Sequence, residues 1–293
     1  MTPSIFKGTG VALVTPFDEK FAVDYQSLGN LLEFQSNQHT NYFVVQGTTG
    51  ESPTVSDDEK KKILAFVLEN NPKKLPVVLG IGGNNTFALI REIENTDFSG
   101  VDAILSVSPY YNKPSQRGIV NHYELLANAC PVPIILYNVP GRTGSNMQAA
   151  TSLTLSQHDN IIAIKEASGD LSQCQEIFNG KPENFQVISG DDMLTVDLIN
   201  MGGIGVISVL ANAFPGIFHN ITQGAFQNDE NRYIDSFKKL QHLNPLIYEE
   251  SSATGIKLVL SELGICKPTV RPPLYAASNN LVERIKKVLV SFD

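Results

Sequence analysis

The chain has 293 residues, of which 42% are hydrophobic and 18% charged, proportions that exclude disordered, fibrous and membrane-embedded classes. Lys and Arg number 22 against 30 Asp and Glu, a net charge of −8; no basic cluster is present to carry a phosphate backbone, so nucleic acid is not an expected partner. Length alone leaves one large barrel or two ordinary domains open.

Short apolar runs rich in β-branched residues recur at Val11–Val14, Phe43–Gln46, Val77–Gly80, Ala103–Val107, Ile134–Asn138, Ile161–Lys165, Gln186–Ser189 and Gly205–Ser208. They are almost continuously hydrophobic, as strands buried on both faces of a parallel sheet are. Helical patterns separate them: Tyr25–Gln35, a helix opened by the Ser56/Glu59 capping box, Phe87–Glu94, Gly118–Asn128, Gln148–Leu155, Leu171–Phe178 capped by Asp170, and Leu194–Asn200. Strand starts lie between 19 and 34 residues apart, the period of a βα repeat. This predicts an α/β fold, a (β/α)8 TIM barrel over residues 1–224. Residues 225–293, with helical patterns at Arg232–Leu243, Ile256–Leu263 and Leu281–Val290, read as a C-terminal helical appendage. A doubly wound nucleotide-binding sheet is excluded because no G-x-G-x-x-G follows the first strand, which runs into Val14, Thr15 and Pro16.

Cys130, Cys174 and Cys266 are far apart and odd in number, and read as reduced, buried thiols. The five histidines stand apart in sequence without ligand spacing, so no metal and no cofactor is expected. No apolar run approaches the roughly 18 residues of a membrane span. Met1–Gly8 lacks the build of a signal peptide, and the expected location is cytoplasmic.

Lys165 closes the apolar run Ile161–Ile164 and belongs at the C-terminal mouth of strand six, where barrels carry their catalysis. In isolation it reads as a strand-end lysine snorkelling to solvent. A lysine desolvated at such a mouth presents a neutral amine, whose natural electrophile is a ketone carbonyl. Tyr137 closes strand five; alone it is a packed tyrosine, and beside Lys165 its phenol becomes a proton shuttle. Gly47-Thr48-Thr49-Gly50 after strand two is either a plain polar turn or a carboxylate cradle. In the loop Val139–Gly144, Arg142 offers a bidentate fork for a carboxylate. Tyr110 and Tyr111, in a loop between prolines, suit an interface.

With these residues assembled, nearly the whole chain resembles the dihydrodipicolinate synthase family of pyruvate-dependent class I aldolases. The resemblance rests on residues 47–52 (GTTGES), 108–114 (SPYYNKP), 137–143 (YNVPGRT), 164–167 (IKEA) and 189–192 (SGDD). It implies that Lys165 holds pyruvate as a Schiff base, that Thr48 and Thr49 bind its carboxylate, and that the enamine attacks L-aspartate 4-semialdehyde. It also implies Tyr137 as general acid and base, relayed by Thr49 and by Tyr111 of a neighbouring subunit, with Arg142 gripping the semialdehyde carboxylate and Gly190 and Ile207 lining the floor. The implied assembly is a homotetramer, a dimer of dimers, and the implied role is diaminopimelate and lysine synthesis.

The chain departs from lysine-sensitive relatives at one site. Asn84, Ser52 and Tyr110 match, but Asp57 and Lys60 stand where histidines are expected and Ala88 stands at an acidic position, which predicts weak or absent lysine inhibition. Two rival readings are an aldolase for N-acetylneuraminate or 2-keto-3-deoxy sugar acids, against which Arg142 argues, and a catalytically silent barrel. The retention of Lys165, Tyr137, Thr48, Thr49 and Arg142 together argues against silence.

Overall fold

The computed structural model describes residues 5–292; residues 1–4 of the N-terminal stretch considered above, and residue 293, lie outside them. Eight strands follow one another in chain order as a closed barrel: β1 (Gly8–Ala12), β2 (Tyr42–Val45), β3 (Val77–Gly80), β4 (Ala103–Val107), β5 (Ile134–Asn138), β6 (Ile161–Glu166), β7 (Gln186–Ser189) and β8 (Gly205–Ser208). The helices are α1 (Tyr25–Asn37), α2 (Asp57–Glu69), α3 (Thr86–Glu94), α4 (Gln116–Ala129), α5 (Pro140–Thr143), α6 (Ala149–Leu155), α7 (Leu171–Gly180), α8 (Thr195–Asn200), α9 (Pro215–Gln227), α10 (Ile234–Glu249), α11 (Ser252–Glu262) and α12 (Asn279–Leu289). This is the (β/α)8 barrel with C-terminal helices that the strand spacing predicts. Among the described residues no helix is long and apolar enough to cross a membrane.

Most strands fall within a residue of their sequence positions, and β1 is the exception, lying three residues earlier at its start and two at its end. Its start is hidden because Gly8-Thr9-Gly10 lacks apolar side chains, yet a Cβ at Gly10 would come within 2.2 Å of the Tyr42 ring, so only glycine lets that ring cross β1. The ladder ends early because the Val14 N–H donates to Asn212 Oδ1 at 3.1 Å instead of continuing the sheet. Two elements escape the sequence reading. α9 begins Pro215-Gly216 and is rich in poor helix formers, although Pro at the first position suits a helix start. α5 is a single turn.

The described chain divides into two compact units, residues 5–7 with 76–207, and residues 8–75 with 208–292. In the first, β3 through β7 and their helices bury an aliphatic core that includes Ile104, Ile134, Ile135, Leu136 and Ile164. The capping of α7 by Asp170, whose Oδ1 accepts from the Ser172 and Gln173 N–H groups, follows the sequence expectation. In the second unit the capping box Ser56/Glu59 opens α2 as expected. α10 runs past Pro245 to Glu249, six residues beyond its expected end, because Leu240, Leu243, Leu246 and Ile247 keep one face buried through the proline. α11 is buried from Ser252 to Leu260, including Lys257. The C-terminal helices therefore share a compact unit with β1 and β2.

His122 on α4 is 3% exposed. Its Nδ1 lies 2.8 Å from Thr86 Oγ1 at the start of α3, and burial pushes its pKa down to about 4. The folded state thus holds the neutral imidazole, while the unfolded chain takes up a proton below about 6.5. Stability from this group is complete above pH 6.5 and lost as pH falls towards 4, up to about 3 kcal/mol in all. Between pH 7 and 5 this group is expected to lower the melting temperature by on the order of 5 °C. Thermal melts of wild type and His122→Gln check this: the variant's decline should be shallower by that amount, and equal slopes would refute it.

Candidate active site

β5 and β6 pair in parallel with Tyr137 opposite Lys165 and Asn138 opposite Glu166. Directly paired side chains on parallel strands share a face, and the next pair points the other way. Tyr137 and Lys165 therefore emerge together at the C-terminal ends of their strands. Lys165 is 5% exposed and Tyr137 7% exposed, and the Lys165 amine lies 4.4 Å from the centroid of the Tyr137 ring. Among the described residues no carboxylate pairs with that amine. An amine and a phenol ring thus lie side by side in a nearly dry setting.

Gly190, just past β7, explains how the lysine stem is housed. A Cβ there would stand 3.0 Å from both Cγ and Cε of Lys165 and 2.7 Å from the Ala167 Cβ, so any side chain would press on the lysine stem. The Gly190 N–H donates to the Glu166 carbonyl at 2.7 Å, which holds the position. Ile207 on β8 is fully buried.

The opposite face of the same two strands carries a network that the sequence reading missed. Asn138 Nδ2 donates to both oxygens of Glu166 at 3.1 Å, Gln173 Nε2 donates to Oε2 at 3.1 Å, and the Ser168 N–H donates to Oε1 at 2.7 Å. Asn138 Oδ1 in turn accepts from the Met147 N–H at 2.9 Å. Burial pushes the Glu166 pKa up while these donors pull it back. The available signal was a glutamate directly after a strand pattern: a charged residue buried at a strand end needs a built partner set.

Arg142 sits on α5, a one-turn helix rather than an irregular loop, begun by Pro140 and tied down by Thr143 Oγ1, which donates to the Ser145 carbonyl at 2.7 Å. It is exposed. Tyr111 is 88% exposed and adopts φ 72°, a left-handed conformation that costs a non-glycine residue about 1 kcal/mol or more. Its loop is stapled by Asn84 Nδ2 to the Tyr110 carbonyl at 3.1 Å and Asn112 Nδ2 to the Asn84 carbonyl at 3.0 Å, so the phenol is presented outward by design of the backbone.

In the other unit, Thr48 and Thr49 lie on a single 3₁₀ turn, Thr48–Gly50, with Thr49 buried and Thr48 exposed. Thr15 Oγ1 donates to the Gly50 carbonyl at 2.7 Å and braces the turn. The histidines are not all separate in space: the rings of His39 and His219 lie 4.8 Å apart, although 180 residues of sequence divide them. Among the described residues no group of three or more His, Cys, Asp or Glu could hold a metal ion. The three cysteines are free and buried.

The 4-hydroxy-tetrahydrodipicolinate synthase of Cytophaga hutchinsonii is 48% identical over 285 residues, covering 97% of this chain and 96% of that one. The solved dihydrodipicolinate synthase of Thermotoga maritima superposes with a TM-score of 0.94 at 34% identity, covering 98% of each chain. The chloride-inhibited dihydrodipicolinate synthase of Acinetobacter baumannii, solved in complex with pyruvate, gives 0.93 at 34% identity over 97% of this chain and 98% of that one. A family model matches residues 5–291, and on that extent of agreement the chain belongs to the dihydrodipicolinate synthetase family.

Proposed function

We propose that the chain condenses pyruvate with L-aspartate 4-semialdehyde to form 4-hydroxy-tetrahydrodipicolinate, in the cytoplasm and in the service of diaminopimelate and lysine synthesis. The chemistry is assigned to residues 1–224, with residues 225–293 as a C-terminal helical region. The observation that carries the reading is the register of β5 and β6, which sets a buried lysine amine beside a buried tyrosine ring.

The Lys165 amine adds to the C2 carbonyl of pyruvate and water leaves, giving an imine. Loss of a C3 proton gives the enamine, and C3 attacks the aldehyde carbon to form the new carbon–carbon bond while the aldehyde oxygen takes up a proton. The amino group of the semialdehyde then attacks the imine carbon, closes the ring and expels Lys165. Tyr137 moves the protons of these steps, relayed by Thr49 and by Tyr111 of a second copy of the chain. The near-complete exposure of Tyr111 on its own chain suits that role, and a dimer of dimers is the assembly proposed. Thr48 and Thr49 take the pyruvate carboxylate, Arg142 takes that of the semialdehyde, and Gly190 and Ile207 line the floor.

Borohydride reduction in the presence of pyruvate is expected to add mass to the Lys165 peptide, and Lys165→Ala to lose both the label and carbon–carbon bond formation. Label on another lysine, or none, would overturn the assignment. Arg142→Ala removes a bidentate, charge-assisted grip worth about 1.5–3 kcal/mol. Steady-state kinetics should therefore show the KM for the semialdehyde rising about 10- to 100-fold with that for pyruvate nearly unchanged. Lysine is expected to inhibit weakly or not at all: Lys60 and Asp57 lie 3.8 Å apart as an ion pair, and Ala88 offers a ligand ammonium no carboxylate. A steep loss of activity below millimolar lysine would refute this.

A further inference from the structure

The turn that carries Thr48 and Thr49 ends at Glu51, and three observations set this residue apart. Its backbone is left-handed, φ 54° and ψ 34°, which costs a non-glycine residue about 1 kcal/mol or more and persists only where the surroundings dictate it. Its carboxylate is buried, the residue being 3% exposed. Both carboxylate oxygens are engaged from far along the chain: Oε1 accepts from Lys257 Nζ at 2.5 Å and Oε2 from the Arg271 N–H at 2.9 Å.

Lys257 is fully buried on α11. Its amine also donates to the Thr269 carbonyl at 2.9 Å and stands 4.1 Å from the centroid of the Phe17 ring. The Arg271 guanidinium lies over the same ring at 4.3 Å. It grips Glu59 through two bonds of 2.6 and 2.9 Å and donates to the Thr54 and Phe21 carbonyls. The Glu59 carboxyl is held at about 2, mainly by this guanidinium. Glu51 and Glu59 thus bracket residues 52–58, and each is bonded by Arg271.

A buried ion pair is a poor investment in stability alone, because desolvating two charges offsets most of their attraction and an apolar pair of similar volume often does as well. What such a pair supplies is a single geometry. Here that geometry is applied to the residue directly following the Thr48–Gly50 turn, whose own hydrogen bonds are Gly50 N–H to the Gly47 carbonyl and Glu51 N–H to the Thr48 carbonyl.

We propose that Glu51 and Lys257, supported by Arg271, are positioning residues that hold the Thr48–Thr49 turn in the shape that receives the substrate carboxylate. This rests on the reading of that turn as the pyruvate carboxylate site. The C-terminal helix α11 acquires a task in recognition through it.

The test compares two ketones by borohydride trapping on Lys165: pyruvate, which has a carboxylate, and acetone, which has none. In Glu51→Gln and Lys257→Met, the pyruvate concentration giving half-maximal trapping and the KM for pyruvate are expected to rise at least 10-fold. Acetone trapping should stay within about threefold of wild type. The double variant should lose no more than the worse single one, since the two residues act as a unit. Thr15→Val, which removes only the hydroxyl brace to the Gly50 carbonyl, should move pyruvate in the same direction by a smaller factor and serves if the charge variants fail to fold. An unchanged KM for pyruvate, or equal losses for both ketones, would overturn the proposal. Failure of wild type to trap pyruvate at all would instead overturn the underlying assignment of function.

Discussion

The parallel pairing of β5 with β6 is the constraint on which the proposed chemistry of this protein depends. Because side chains alternate across a strand, one register decides two things together: Tyr137 and Lys165 share one face, and Asn138 and Glu166 share the other. A slip by one residue would exchange the two sets. The Asn138–Glu166 bonds make that slip costly, since they bind one strand to the next at the level where Tyr137 and Lys165 emerge. A buried carboxylate stripped of its Asn138 donor would bear part of its desolvation penalty.

Buried charge is handled in two ways in this molecule. Glu166 is surrounded by neutral amide donors, and among the described residues no cation pairs with it. Glu51 instead meets an ammonium that is itself wholly buried. The first arrangement steadies a position in a strand, where backbone pairing already limits motion. The second steadies a turn, where no ladder does so, and the stronger, longer-range tie is placed where the backbone is weakest.

Rigid and adaptable parts divide the work accordingly. The covalent chemistry is assigned to strand ends, whose geometry is set by the barrel, and recognition of the second substrate to exposed Arg142 on one helical turn. A fold of this kind hosts many activities. The functional reading therefore rests on particular side chains and on membership of a family whose solved members superpose on nearly the whole chain.

By itself the sequence determined the eight strands, their order and the residues at their mouths, because strands buried on both faces leave unbroken apolar runs that a local reading detects. It also marked Lys165, Tyr137, Arg142 and the Thr48–Thr49 turn, since their motifs are contiguous. Only the tertiary structure decided where β1 stops, because Asn212, nearly 200 residues away, takes the Val14 N–H; that α10 passes through Pro245, because its buried face outweighs a local breaker; and that Glu51 meets Lys257 across 206 residues. Contacts of that separation leave no period in the chain. Their partners are ordinary polar residues until folding removes the water around them.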